Sequence, residues 1–321
     1  MKNHQNISQT IWQKVQLAEK VLIFSHQSPD GDTLGSNLAL AKYLKTLGKE
    51  VTSFCIDPVP DNLKFLPNQH FLTNDHLVFT KKYDLVIALD SGSLDYAGVE
   101  YLLTALPSGF SFINIDHHAS NTHYGHINLV LTDASSTAEV VYRLFKDWDI
   151  IWDSEIANCL ACGLITDTGG FKNPATSYLA LSAAADLHRQ GAKLQNIINK
   201  TINNNEFKHL KLWGRALARL KANDRYQLVY TFLTQADFQD CGLDSSKIEG
   251  LSNFLHILNE GKVILILKED NNNIIRGSLR TNTNIDLAKL AQMFGGGGHR
   301  KASGFILPGR LEYVNNKLKV V

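Results

Sequence analysis

The chain has 321 residues, 44% hydrophobic and 20% charged, which is enough for one large or two ordinary globular domains. A formal net charge of +1 excludes a broad cationic field of the kind that recruits long nucleic acid or an anionic membrane. No stretch approaches the roughly 20 apolar residues of a membrane span, and residues 1–10 are polar with no signal core, so a soluble, cytoplasmic chain is expected.

Ile7 to Lys20 reads as an amphipathic helix, with Ile7, Ile11, Val15 and Ala18 on its apolar side. Val21 to Phe24 is an apolar run of the kind buried in a parallel sheet, and it stops at His26. Pro29 and Gly31 then impose a turn before a helix over Thr33 to Leu47, with Gly48 as its C-cap. Val51 to Ile56 is a second strand, ended by Asp57-Pro58-Val59-Pro60. Asp84 to Asp90 is a third, ending in an acid before Ser91-Gly92-Ser93. Phe110 to Ile115 is a fourth and runs into Asp116-His117-His118. Helices follow over Ser136 to Trp148, with Ser135 or Ser136 as N-cap and Glu139 in capping-box position, and over Ser154 to Ile165, ending at Thr166-Asp167-Thr168-Gly169-Gly170-Phe171. Cys159 and Cys162 lie in that apolar helix with no second pair and read as small core residues; none of the four cysteines suggests a disulfide framework. Leu179 to Gln190 is an Ala-rich helix closed by Gly191.

Strands alternating with helices predict an α/β domain with a mostly parallel, helix-flanked sheet over residues 1–190. Asn196 to Lys221 is rich in Asn and Lys, and residues 191–221 read as a helical connector. Residues 222–321 read as a smaller α+β domain: strands over Tyr226 to Leu233, Val263 to Lys268 and Ile274 to Thr281, helices over Ile248 to Asn259 and Ile285 to Phe294, and a last strand over Ala302 to Leu307. Asp270-Asn271-Asn272-Asn273 is a hairpin turn, and Gly295 to His299 a glycine loop.

The acids and imidazoles sit at strand and helix ends: His26, Asp30, Asp32, Asp90, Asp116, His117, His118 and Asp167. In open α/β sheets that edge is where ligands bind. Carboxylates favour magnesium and manganese, and imidazole widens the choice to manganese, iron or zinc. Five carboxylates and three imidazoles in one crevice exceed what a single ion needs and repel one another unless cations neutralise them. That excess points to two ions with a bridging carboxylate, an arrangement suited to phosphate-ester hydrolysis. His123 and His126 follow the Asp116-His117-His118 stretch, and His123 lies close enough in sequence to help shape such a site, whereas Asp133, Asp153 and Asp186 read as caps or solvated charges. In the second domain, Gly296, Gly297 and Gly298 before His299 can leave backbone N–H groups free as an anion nest. Ser278 and Arg280 share one face of their strand.

Asp116-His117-His118, together with His26-x-x-x-Asp30-x-Asp32, Asp90 in Leu89-Asp90-Ser91-Gly92, and Asp167 in Thr166-Asp167-Thr168-Gly169, resembles the DHH phosphoesterase family. The C-terminal Gly296-Gly297-Gly298-His299 with Ala302-Ser303-Gly304-Phe305 resembles the domain associated with it. The resemblance implies that His26, Asp30 and Asp90 hold one metal, and that Asp32, Asp90, His117 and Asp167 hold the other. Asp116 would orient a ligand, and His118 would face the scissile phosphate. It implies two divalent ions, typically manganese, with magnesium or cobalt as alternatives. It also implies an active site in the cleft between the domains, with Arg280, Ser278, His299 and the glycine loop gripping a substrate phosphate, and a homodimer through the N-terminal domain. The compact length resembles the branch that degrades very short RNAs to mononucleotides and removes the 3′-phosphate of 3′-phosphoadenosine 5′-phosphate (pAp). A near-zero charge suits such small substrates better than a long nucleic-acid track. Rival readings are a phosphodiesterase of cyclic dinucleotides or of linear pApA and pGpG, a family-II pyrophosphatase, a single-strand exonuclease, and a nucleotide-binding regulatory module without turnover.

Overall fold

The computed structural model describes residues 2–203, 206–244, 250–255, 258, 261–270, 273–314 and 317–321. The chain divides into two units, residues 1–204 and 205–321, and the division falls inside the stretch read from sequence as a connector.

The first unit runs α1 (Lys2–Leu17), β1 (Lys20–Ser25), α2 (Gly31–Thr46), β2 (Glu50–Phe54), β3 (Leu72–Thr73), β4 (Leu85–Leu89), α3 (Leu94–Ala97), α4 (Glu100–Leu103), β5 (Ser111–Asp116), β6 (Ile127–Val130), α5 (Thr137–Asp147), α6 (Ser154–Asp167), α7 (Tyr178–Arg189) and α8 (Leu194–Thr201). All six strands are parallel, in the order β3-β2-β1-β4-β5-β6. The strands are apolar without alternation because both faces are covered. Val21, Ile23, Leu85, Ile87 and Ile113 pack with residues of α1, α2, α5 and α6 such as Ile11, Leu38, Val141 and Leu160. Leu22, Phe24, Val86, Ala88 and Phe112 pack on the other side with Phe54, Phe79, Val99 and Leu102. β1 and β4 are neighbours, but the chain leaves them in opposite directions along the sheet. Their carboxyl ends therefore flank the crevice that such a reversal opens.

The structure adds elements that the sequence pattern does not reveal. β3 and β6 are short edge strands, too brief to show a period, and α1 begins at Lys2 rather than Ile7. Ser136 is the N-cap of α5, its side chain accepting from the Glu139 amide at 3.0 Å. The reciprocal half of the expected capping box is missing, because the buried Glu139 carboxylate instead accepts from Ser135 N (2.8 Å) and Arg143 Nε (3.0 Å). Cys159 and Cys162 are buried reduced core residues whose thiols burial pushes up.

The second unit runs α9 (Phe207–Ala218), β7 (Lys221–Asn223), β8 (Leu228–Leu233), α10 (Gln235–Cys241), α11 (Leu251–Leu255), β9 (Val263–Asp270), β10 (Ile274–Arg280), α12 (Leu287–Gln292), β11 (Gly297–His299), β12 (Ala302–Pro308), β13 (Leu311–Val314) and β14 (Lys317–Val320). The stretch Asn196 to Lys221, read as one helical connector, contains the end of α8 and all of α9, and its last residue opens a strand. The main sheet has the order β11-β12-β10-β9-β8-β7 and is antiparallel except for the β8–β9 pair. β9 and β10 form the expected hairpin; Asn271 and Asn272 at its turn lie outside the described residues, as do residues 248, 249, 256, 257 and 259 of the helix expected over Ile248 to Asn259, whose described part contains α11. The glycine run read as a loop is in part a strand, since Gly297–His299 pairs with Ala302–Gly304. Buried Asp237 anchors α10 by a closed capping box with Thr234 and accepts from Arg219 and Arg215. Those contacts hold its carboxyl below the ordinary range against the opposing effect of burial. No helix among the described residues is long and apolar enough to cross a membrane.

Candidate functional site

Three strand ends deliver the polar residues. His26 follows β1, Asp90 follows β4, and Asp116 closes β5 with His117 and His118 behind it. Asp30 is the N-cap of α2, its Oδ1 accepting from Asp32 N (2.9 Å) and Thr33 N (3.0 Å), which turns the chain sharply after β1. Asp167 comes from the C-terminal end of α6. Asp90 has φ +55, a left-handed conformation that costs a non-glycine residue energy and clusters at functional sites.

All eight sequence-predicted residues of the first unit meet. One ligating atom each from His26, Asp30 and Asp90 lie within 4.8 Å of one another, as do those of Asp32, His117 and Asp167, and those of Asp90, Asp116, His117 and His118. Asp90 and His117 each belong to two groups, so the groups form one continuous cluster. Nδ1 of His26 donates to the Gln27 carbonyl at 2.6 Å, which leaves Nε2 facing Asp90 Oδ2 at 3.4 Å. Nε2 of His117 is buried and makes no hydrogen bond, yet carboxylate oxygens of Asp167, Asp90 and Asp32 lie at 3.3, 3.9 and 4.0 Å. An imidazole nitrogen left bare among three carboxylates is the donor set of a divalent cation, so the residues fit the metals that the motifs imply. Asp116 plays a different part. Its Oδ1 contacts His118 Nδ1 at 2.8 Å and its Oδ2 accepts from Asn121 Nδ2 at 2.6 Å, which orients the His118 ring.

The cluster's own side chains are electrostatically unbalanced. Burial raises the Asp32 and Asp167 carboxyls well above the usual carboxylate range, and neighbouring carboxylates add to this. Burial opposes ionisation of Asp90 too, but His26, His117 and His118 outweigh it and hold that carboxyl low. For His26 burial favours the neutral ring, yet the Asp90 carboxylate lifts it to about 9. Burial keeps His117 low, whereas His118 is raised by Asp116 and Asp90.

The sign of the pH dependence follows. A raised histidine stabilises the fold fully below about 6.5 and loses that contribution as pH climbs through about 9. For nearly inaccessible His26 this amounts to about 3 kcal/mol at most. The raised Asp32 and Asp167 act in the same direction. Chelated protein should therefore lose stability between pH 6.5 and 9 in urea titrations, while manganese should flatten the profile. A chelated protein equally stable across that window would show that His26 does not carry the proton.

Several functional candidates were not legible beforehand. Thr33 Oγ1 donates to Asp90 Oδ2 at 2.7 Å and also touches His26 Nε2. Thr137 Oγ1 donates to Asp90 Oδ1 at 3.0 Å, and the Thr137 and Ala138 amides donate to the two Asp32 oxygens at 2.6 and 2.8 Å. Tyr96, half-exposed, places its ring 4.9 Å from that of His26. Only the Ser135-Ser136-Thr137 run hinted at any of this, and it reads as a helix cap. His123 is outside the cluster, its amide donating to Asn121 Oδ1 at 2.7 Å, and His126 Nδ1 accepts from Phe112 N at 3.1 Å.

In the second unit, Ser278 and Arg280 sit two apart on β10, opposite Gly304 and Ala302 of β12. The Arg280 guanidinium, lowered by burial, donates to the Leu279 carbonyl at 3.0 Å and has no ion-pair partner among the described residues. The glycine amides are not all free: Gly295 N and Gly296 N cap α12, donating to Gln292 O (3.0 Å) and Ala291 O (2.9 Å). Gly296 must be glycine, because a Cβ there would lie 2.1 Å from the Gly304 carbonyl oxygen. Gly297 and Gly298 lie in β11, and Gly298 has φ +134. The His299 side chain lies outside the described residues.

Known proteins match over most of the chain. Residues 20–164 match the N-terminal domain of the DHH family, and residues 225–321 match the DHHA1 domain. A bifunctional oligoribonuclease and PAP phosphatase NrnA from Thermus thermophilus is 30% identical over 93% of this chain and 90% of that protein. The protein of the same name from Bacillus subtilis is 24% identical over 90% of each. An exopolyphosphatase-related protein from Bacteroides fragilis superposes with a TM-score of 0.86 at 28% identity, covering 94% of this chain and 91% of that one.

Proposed function

The chain belongs to the DHH family, and from that premise we propose that it is a phosphoesterase using two divalent ions, hydrolysing short RNA to mononucleotides and pAp to AMP. The carrying observation is the shared Asp90, which belongs at once to the group with His26 and Asp30 and to a group with His117. In this reading His26, Asp30 and Asp90 hold one ion, and Asp32, Asp90, His117 and Asp167 the other, with Asp90 as the bridge. Manganese is the expected metal, since a mixed carboxylate and imidazole set suits it. Two ions so held supply a nucleophilic water at neutral pH and neutralise phosphoryl oxygens.

The chain's own residues do the rest. Asp90 is aimed by two threonine hydroxyls, so its oxygens are fixed before an ion arrives. The Asp116 carboxylate favours a protonated His118 ring, which suits His118 to donate a proton to the leaving oxygen. Arg280, without an acidic partner among the described residues, Ser278, His299 and the run Gly296, Gly297 and Gly298 would bind a second substrate phosphate. The names of the Thermus and Bacillus relatives and the near-neutral net charge favour small substrates over long strands.

The experiment offers a 5′-labelled RNA trimer, pAp, pApA and cyclic di-AMP side by side with manganese. Mononucleotides from the trimer, with phosphate from pAp, are the expected products. Preferential opening of the cyclic dinucleotide, with slow attack on the trimer, would move the assignment to dinucleotide breakdown. Absence of any hydrolysis would favour a nucleotide-binding module.

A further inference from the structure

We propose that Thr137 is a positioning residue that ties the two ion groups together, its hydroxyl fixing Asp90 while its own backbone amide fixes Asp32. The proposal rests on the two-ion reading given above. Thr137 is the first residue of α5, fully buried, directly after the N-cap Ser136. Amides at a helix start have no acceptor within the helix and face a positive dipole end, so they seek an anion. Here the anion is Asp32, distant in sequence: Thr137 N reaches its Oδ2 at 2.6 Å and Ala138 N its Oδ1 at 2.8 Å. The same residue sends Oγ1 to Asp90 Oδ1 at 3.0 Å.

Each Asp90 oxygen thus has one hydroxyl donor, Thr33 on Oδ2 and Thr137 on Oδ1, and keeps lone pairs for cations. His117 Nε2 and His118 Nδ1 lie 3.9 and 3.8 Å from Oδ1, beyond hydrogen-bond reach, and do not replace the threonine. The hydroxyl is carried on the Thr137 backbone through a single rotatable Cα–Cβ bond. Because that backbone also carries the amide on Asp32, a displacement of α5 moves both carboxylates together. In the two-ion reading Asp32 holds one ion and Asp90 bridges both, so Thr137 adds a second link to the one Asp90 makes; filling one group should order the other, and the two ions should bind cooperatively.

The test is a calorimetric titration of chelated protein with manganese chloride, together with thermal unfolding of the chelated protein. Thr137→Val keeps shape and amide and removes only the hydroxyl. It is expected to bind manganese roughly ten- to a hundred-fold more weakly, the loss typical when an outer partner of a metal ligand is removed. Cooperativity between the two ions should weaken, since Asp90 alone still links them, while the protein in chelator keeps a single cooperative unfolding transition. Thr137→Ser should restore affinity. If the valine variant does not fold, Thr137→Ala, which also lacks the hydroxyl, takes its place. Wild-type uptake of two ions with Thr137→Val binding equally tightly would overturn the tie alone, as would a serine variant as weak as valine. Uptake of fewer than two ions by the wild type would overturn the two-ion reading and the tie with it.

Discussion

Asp90→Asn is expected to lower manganese-dependent phosphoester hydrolysis by roughly a thousand-fold or more, while the protein stays folded. A loss of that size is about 4 kcal/mol of transition-state stabilisation. The substitution is chosen for the backbone. Asp90 sits at φ +55, and asparagine tolerates the left-handed region as aspartate does, so the turn after β4 should survive. The asparagine carbonyl can still accept one threonine hydroxyl. What disappears is the negative charge shared by two candidate ion groups and the carboxylate that lifts His26 to about 9. The pH-dependent loss of stability between 6.5 and 9 should therefore shrink in the same variant. Circular dichroism would confirm the fold and steady-state turnover the loss. Near-normal turnover in a folded Asp90→Asn protein would sink the bridging role.

Gly163→Ala should damage both stability and metal binding, although alanine is ordinarily the better helix former by about 1 kcal/mol. Gly163 lies in α6 where it meets α2 and α5. A Cβ there would sit 2.5 Å from the Ala138 Cβ and 2.5 Å from Asp32 Oδ1. Asp32 cannot swing aside without abandoning the two α5 amides. Overpacking of this kind costs about 1–3 kcal/mol, and here part of the strain falls on a candidate metal ligand. Gly35 on α2 is tighter still, since its Cβ would lie 2.4 Å from the Cys159 carbonyl oxygen, a backbone atom. Gly214→Ala in α9 is the contrast. Nothing lies within 4 Å of its Cβ position, so the propensity gain should appear there as added stability of about 0.5–1 kcal/mol. Urea unfolding of Gly163→Ala, Gly35→Ala and Gly214→Ala would settle the signs, and a manganese titration of Gly163→Ala would show whether Asp32 has moved. A Gly163→Ala protein as stable and as tight for manganese as wild type would show that the helices can separate freely.

The order of charged residues along the chain was legible because it is local. A buried parallel strand is a run of apolar residues, and its end is marked by the first polar ones, so His26, Asp90 and Asp116 announce themselves as strand-end groups. Eight such residues were enough to argue for two ions and a phosphate ester, and they do meet in one cluster. The short edge strands β3 and β6 escaped because two to four residues carry no period. The glycine run was read as a loop, although part of it is a strand, for a related reason. Glycine has no side chain to report a partner, and it was the opposing strand, Ala302–Gly304, that made part of the run a strand.

The sequence by itself determined which groups are the candidates for the chemistry and at which strand and helix ends they stand, because apolar patterning and turn residues act over a few positions. Only the tertiary structure decided how those groups are held: Asp32 by the amides of α5, Asp90 by Thr33 and Thr137, Asp116 by Asn121, and α2 against α6 by Gly35 and Gly163. The Asp32, Asp90–Thr137 and glycine contacts join residues scores of positions apart. Hydrogen-bond and close-packing partners at such separations leave no periodic trace in a single chain, and they exist only once the layers have packed.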